Sequence, residues 1–120
     1  MSKAEELKQR TKRFALRVVT LFRSLPRTEE ARVIGKQVLR SGTSAAANYR
    51  AVCRARSRAE FISKTGIVVE EMDETVFWLE LLVEAKIVPK EKMEGLLKEA
   101  EELLAIFAAS QKTAKSRIDT

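Results

Sequence analysis

Histidine is absent from the 120 residues, and cysteine occurs once, at Cys53. These absences exclude much chemistry. Histidine-based triads, zincin motifs and Glu-x-x-His carboxylate metal sites lack an essential residue, and a lone cysteine forms neither an intrachain disulfide nor a cysteine zinc site. The four glycines, at 35, 42, 66 and 95, make no phosphate-cradling loop of the GxGxxG or Walker type. No enzyme, cofactor or metal site is therefore expected. A disulfide-framed secreted scaffold is excluded too. The N-terminal MSKAEELKQRTKR is charged throughout, without the apolar stretch of a signal peptide. Even the most apolar region, Val76 to Val83, is interrupted by Glu80, so no membrane span is expected and a reducing cytoplasm fits best. With only two prolines besides the glycines, the polar tail from Gln111 to Thr120 is the one segment whose composition allows disorder.

What the chain does have is helical periodicity nearly everywhere, with apolar residues at steps of three and four and no strict alternation. The length suits one domain, 1–120, with a core of its own. Leu7, Phe14, Val18, Leu21 and Leu25 form a stripe on a first helix over about 3–24, ended by Pro26. Thr28 followed by Glu29 and Glu30 is an N-cap with acids in the first turn, opening a second helix over about 28–54. Ser41, Gly42, Thr43 and Ser44 are weak helix formers. The stripe Ile34, Val38, Gly42, Ala45, Tyr49 and Val52 nevertheless keeps its phase through them, so the helix is expected to continue, with small residues admitting a close neighbour. Ser57 and Glu60 make a capping box for a third helix over about 57–86. Phe61, Thr65, Val68, Met72, Val76, Leu79 and Val83 share one of its faces, while Ile62, Ile67, Phe77, Trp78, Leu81 and Leu82 spread apolar surface around it. Such a helix is buried on more than one side, by its own bundle or by another subunit. Met93, Leu96, Ala100, Leu103 and Phe107 mark a fourth helix over about 90–115, completing an all-α, up-down-up-down four-helix bundle.

Charge is divided by position. Met1 to Arg58 carries fifteen Lys and Arg against four Glu, and Ala59 to Thr120 carries eight against thirteen acids. Eleven of the twelve arginines lie in the first part. Guanidinium binds phosphate bidentately, so nucleic acid is the expected anionic partner. Arg50, Arg54 and Arg58 recur at i+4 on one face if the chain stays helical, with Arg56 in the link, and Arg10, Arg13 and Arg17 supply a second row. Charge runs are commonly solvated faces, but here only Glu5, Glu6, Glu29 and Glu30 precede Glu60, too few to neutralise the surface locally. These seven arginines are the candidate nucleic-acid-binding residues.

The acidic run Glu70, Glu71, Asp73, Glu74 places Glu71 and Glu74 about one turn apart, a spacing open to a divalent ion or acid–base work. A structural polar network is the stronger reading, with Glu71, Glu74 and Trp78 facing Arg40, Ser44 and Asn48 of the second helix. Trp78 reads as core or subunit packing. Tyr49, among arginines, could stack on a base, but its phase places it on the core stripe.

The blocks Gln37-Val-Leu-Arg-Ser-Gly-Thr-Ser-Ala-Ala-Ala-Asn48, Ser57-Arg-Ala-Glu-Phe-Ile-Ser-Lys64 and Glu71-Met-Asp-Glu-Thr-Val-Phe-Trp-Leu-Glu-Leu-Leu82 carry a further expectation. In this order, together with the Leu25-Pro26 link, they resemble the bacterial four-helix-bundle family named after open reading frames in intervening sequences of 23S ribosomal RNA genes. The resemblance covers about Phe14 to Ala108. It implies an up-down bundle and a ring-shaped homopentamer, and it extends to the accessory variability proteins of diversity-generating retroelements, basic pentamers that bind nucleic acid and a reverse transcriptase. Its matching positions include Arg40, Ser44, Asn48, Phe61, Lys64, Glu71, Glu74 and Trp78, most of which read as fold or assembly positions; no catalytic residue carries over. Many such sequences place an acid just after the Asn48 block, where this chain has Arg50 and no acid through Ala59. The expected function is a non-enzymatic, nucleic-acid-binding (RNA or DNA) oligomer, with a protein-interaction scaffold or accessory subunit, for example of a reverse transcriptase, as the alternative.

Overall fold

A computed structural model describes residues 1–118, the side chain of Ile118 excepted. The fold is all-α: α1 (Lys3–Ser24), α2 (Glu29–Val52), α3 (Arg58–Glu84) and α4 (Lys90–Ile118), with no strand among the described residues. Among these residues, no helix is long and apolar enough to cross a membrane.

Hydroxyl caps open the first three helices. Ser2 accepts from the Glu5 amide at 3.1 Å, Thr28 from Ala31 at 3.3 Å and Ser57 from Glu60 at 3.0 Å, each satisfying an amide that has no partner within the helix. The helix ends differ from expectation. α2 stops at Val52, because the amides of Arg54 and Ala55 bond Ala51 and Val52 in tight three-residue turns instead of continuing the ladder. α3 stops at Glu84. There Lys86 takes a φ of 60°, and the Lys86 and Ile87 amides return to Val83 and Leu82, a Schellman closure that usually employs glycine. α4 passes Lys115 and runs through Ile118, so the polar tail is helical to that point; Asp119 and Thr120 lie outside the described residues.

Contacts between helices set the topology. Val18 of α1 meets Gly42 of α2, and Phe22 and Leu25 meet Gly35, so the two helices run antiparallel. Short links at 53–57 and 85–89 join α2 to α3 and α3 to α4, each pair at one of its ends. Contacts of Arg40 and Ser41 with Glu71 and Thr75, and of Gln111 with Ile62, hold the same pairs together far from those links, so both are antiparallel. Arg10 against Glu99 and Arg17 against Gly95 give α1/α4 the same sense. The helices therefore alternate up and down around one core. Phe14, Val18, Val38, Met72, Leu79, Leu103 and Phe107 are each at most 1% exposed within it.

On α3 the buried stripe runs Thr65, Val68, Met72, Thr75, Leu79, Leu82, whereas Val76 and Val83, expected on it, are only half-buried. Apolar residues surround this helix, so composition does not reveal which side faces inward. Thr75 belongs to the stripe because its hydroxyl is satisfied there: it lies 2.8 Å from the Ser41 hydroxyl and 2.7 Å from the Glu71 carbonyl. Two buried hydroxyls thus tie α2 to α3.

Gly42 does not break α2. A Cβ at that position would lie 3.0 to 3.4 Å from three atoms of the fully buried Val18, a β-branched side chain with little rotamer freedom. Gly42→Val is accordingly expected to destabilise the fold by about 1–3 kcal/mol through overpacking. Urea denaturation measures it. A variant as stable as the parent would mean that α1 and α2 do not approach this closely.

Candidate nucleic-acid interface

Antiparallel packing gathers the start of α1, the α2–α3 turn and the end of α4 at one end of the molecule. Three grooves line that end: one between Lys3–Arg13 and Ile106–Arg117, a second joining Ala4 to Cys53, Arg56 and Phe61, and a third joining Lys8 and Lys12 to Ala46, Ala47 and Arg50. Residues 1–13, 45–67 and 99–118 carry thirteen Lys and Arg against six Glu, the partners of Arg10 included, while the rest of the described chain carries ten against ten acids. The charge divided by sequence half is therefore also divided by molecular end. Lys112, Lys115 and Arg117, from the acidic half of the sequence, join the basic end.

The seven candidate arginines do not share one surface. Arg50 is exposed on the last turn of α2, Arg54 lies in the turn after it, Arg56 in the link, and Arg58 on the first turn of α3. The expected i+4 row of Arg50, Arg54 and Arg58 required an unbroken helix. Because α2 ends at Val52, these exposed side chains instead fan around the turn. Arg10 departs further from expectation. Its Nε and one terminal nitrogen each donate to a Glu99 oxygen at 2.7 Å, and that nitrogen also reaches Glu102 at 2.7 Å. Arg10 is thus neutralised from α4, by acids about ninety residues away in sequence. Arg13 and Arg17 make no ion pair among the described residues, although both act on Glu99 through their charge, and Arg17 lies over the α4 backbone at Gly95. Lys3, Lys8, Lys12, Lys112 and Lys115 stand at the same end without having been candidates from sequence. Their i+3 and i+4 spacings on α1 and α4 are visible there, but their convergence requires the topology.

Glu99 is held below the ordinary carboxylate value of 4.5, chiefly by its hydrogen bonds to Arg10, with partial burial opposing. A depressed folded-state value means that the pair contributes its full stability above about pH 4.5 and loses it as pH falls through the lower folded value. Glu99→Gln is expected to cost about 1 kcal/mol at neutral pH and to flatten the acid limb of the stability profile. Unfolding midpoints measured between neutral and acid pH test this; parallel limbs for parent and variant would show that the pair does not carry the dependence.

At mid-height, Arg40 donates to Glu71 at 3.3 Å and also to Glu74, whose carboxylate accepts the Trp78 indole N–H at 3.0 Å. Ser44 and Asn48 take no part in that exchange. Asn48 Nδ2 donates to the Ser44 carbonyl and hydroxyl, both at 2.9 Å, so the i+4 spacing that aligned them with Arg40 closes a bond within α2. Among the described residues, no group of three His, Cys, Asp or Glu is placed to hold a metal ion. Tyr49 is buried against Phe107, ring centroids 5.0 Å apart, and burial raises its phenol above the ordinary value. It faces the core and presents no ring to a base.

A family model described as 23S rRNA-intervening sequence protein matches residues 3–109. Among solved structures, a protein of unknown function from the S23 ribosomal protein family of Bacteroides thetaiotaomicron is 36% identical, with a TM-score of 0.84 over 92% of this chain and 99% of that one. No curated protein matches. With the family model spanning nearly the whole chain and a solved relative of the same four-helix fold at 36% identity, the chain belongs to the 23S rRNA-intervening sequence protein family.

Proposed function

We propose that this chain is a non-enzymatic RNA- or DNA-binding protein of the cytoplasm that works as a homopentameric ring and meets phosphates through its basic end. The observation that carries the reading is the thirteen-to-six excess of Lys and Arg there, which remains after the ion pairs of Lys8, Arg10 and Lys64 are counted. Contacts of this kind give affinity that depends strongly on salt and little on sequence. The family's name and the ribosomal-family description of the solved relative point toward RNA. Self-association is supported by α3, where Phe77 is 53% exposed beside the half-buried Trp78 and Ile67, about three turns earlier, is 42% exposed. Fluorescence anisotropy with a structured RNA hairpin and a DNA duplex, across a salt series, tests the function. Binding with a steep log–log salt slope is expected; no affinity at low salt would overturn it. The exposed apolar face of α3 also favours a second reading, a scaffold or accessory subunit for another protein. Pull-down with and without nuclease separates the two, because a protein partner that survives nuclease supports the scaffold.

A further inference from the structure

We propose that the groove between the first half of α1 and the last part of α4 takes unpaired bases of a single-stranded nucleic acid, with Lys3, Arg13 and Arg58 on its phosphates. This rests on the nucleic-acid reading above and adds a strand preference to it. The groove holds about 980 Å³ and extends along α1 from Lys3 to Arg13, about 15 Å at 1.5 Å per residue, room for a few nucleotides. Its floor is apolar, built from Leu7, Phe61, Ile106, Ala109 and Ala114. Lys3, Arg13 and Arg58 are exposed on the rim and make no ion pair among the described residues, whose one carboxylate on the lining is Glu6. Arg10 also borders the groove, but Glu99 and Glu102 occupy it.

The floor decides between strand types. A duplex keeps its base faces stacked internally and offers phosphates, sugars and base edges but no free face, so an apolar floor has no base face to stack on. An unpaired strand has a free face on every base, and an apolar or aromatic floor flanked by cations binds it through both parts. Phe61 supplies the aromatic element. It stands one turn after Arg58 on the same face of α3, is half-buried, and borders both this groove and the neighbouring one that contains Arg56. Each of the two grooves that Phe61 borders thus also holds an exposed arginine, Arg58 in one and Arg56 in the other.

The test uses the full chain and labelled oligonucleotides of one length: single-stranded RNA, single-stranded DNA, the corresponding duplex, and an abasic strand with the same phosphates and no bases. Single strands are expected to bind at least about tenfold more tightly than the abasic strand, as base stacking on a protein platform implies. Two variants locate the effect without disturbing the core. Ala109→Glu fills the groove from an exposed helical position, whereas Ala108→Glu adds the same charge at an exposed neighbour outside the lining. Ala109→Glu is expected to weaken single-strand binding at least about tenfold more than Ala108→Glu does, with equal, smaller effects on the duplex. Equal binding of single, duplex and abasic strands, or equal loss from the two variants, overturns the groove inference and leaves the phosphate-binding end standing. The same floor would then suit an acidic amphipathic peptide. Failure of every oligonucleotide to bind at low salt overturns both readings.

Discussion

Replacing Arg50, Arg54 and Arg56 together with alanine is expected to weaken binding to duplex DNA by roughly 10- to 100-fold at low salt. The log–log salt slope should fall by about 2–3, at about 0.9 for each phosphate left unneutralised. All three are exposed and make no ion pair among the described residues, so the fold should remain intact. The informative control removes equal charge from the other end of the molecule. Arg23, Arg27 and Arg32 are also exposed and cluster where α1 passes into α2. Their triple alanine variant should change affinity severalfold at most, through net charge alone. Equal losses from the two triples would mean that the chain attracts nucleic acid by overall charge and has no binding end.

Phe77→Asp should have a comparably large effect by a different route. Phe77 is 53% exposed, touches Trp78 edge-on at 4.9 Å, and stands between the exposed acids Asp73 and Glu80 at i−4 and i+3. Within one chain it contributes little to the core, so the variant should fold. Between chains, the new carboxylate would be buried without a cation, and the oligomer should dissociate. Loss of simultaneous contacts should then lower nucleic-acid affinity by roughly 10²- to 10⁴-fold although the basic end is untouched. Light scattering measures the mass and anisotropy the affinity. A parent that is already monomeric would remove the pentamer; a variant that keeps the parent's mass would remove α3 as its interface.

The elements that local chemistry controls were legible in the sequence. Thr28 and Ser57 cap their helices as their spacing implies, Pro26 lies in the first link, and the small residues around Gly42 mark the close approach of α1 and α2. What sequence did not reveal depends on groups brought from a distance or on competition at a helix end. Nothing near Arg10 announces Glu99. The i+4 spacing of Arg50, Arg54 and Arg58 is real, but the turn amides of Arg54 and Ala55 close before it can act as a face. On α3, apolar residues on every side hide the inward stripe, and the hydroxyl of Thr75 disguises a buried position as a surface one. Counting charge by sequence half likewise assigned the end of α4 to the acidic half, whereas the chain's reversal returns it beside the start of α1.

That reversal has a kinetic consequence. The molecule measures 50 × 26 × 22 Å, and its net positive charge lies toward one extremity of an elongated body. Such a body carries a large electric dipole moment. In the field of a polyanion it turns before it touches, presenting the cationic end first, and a greater share of encounters begin in a productive orientation. Salt would then slow association as well as weaken the bound state, and moving a few charges from one end to the other at constant total would slow capture without altering the fold.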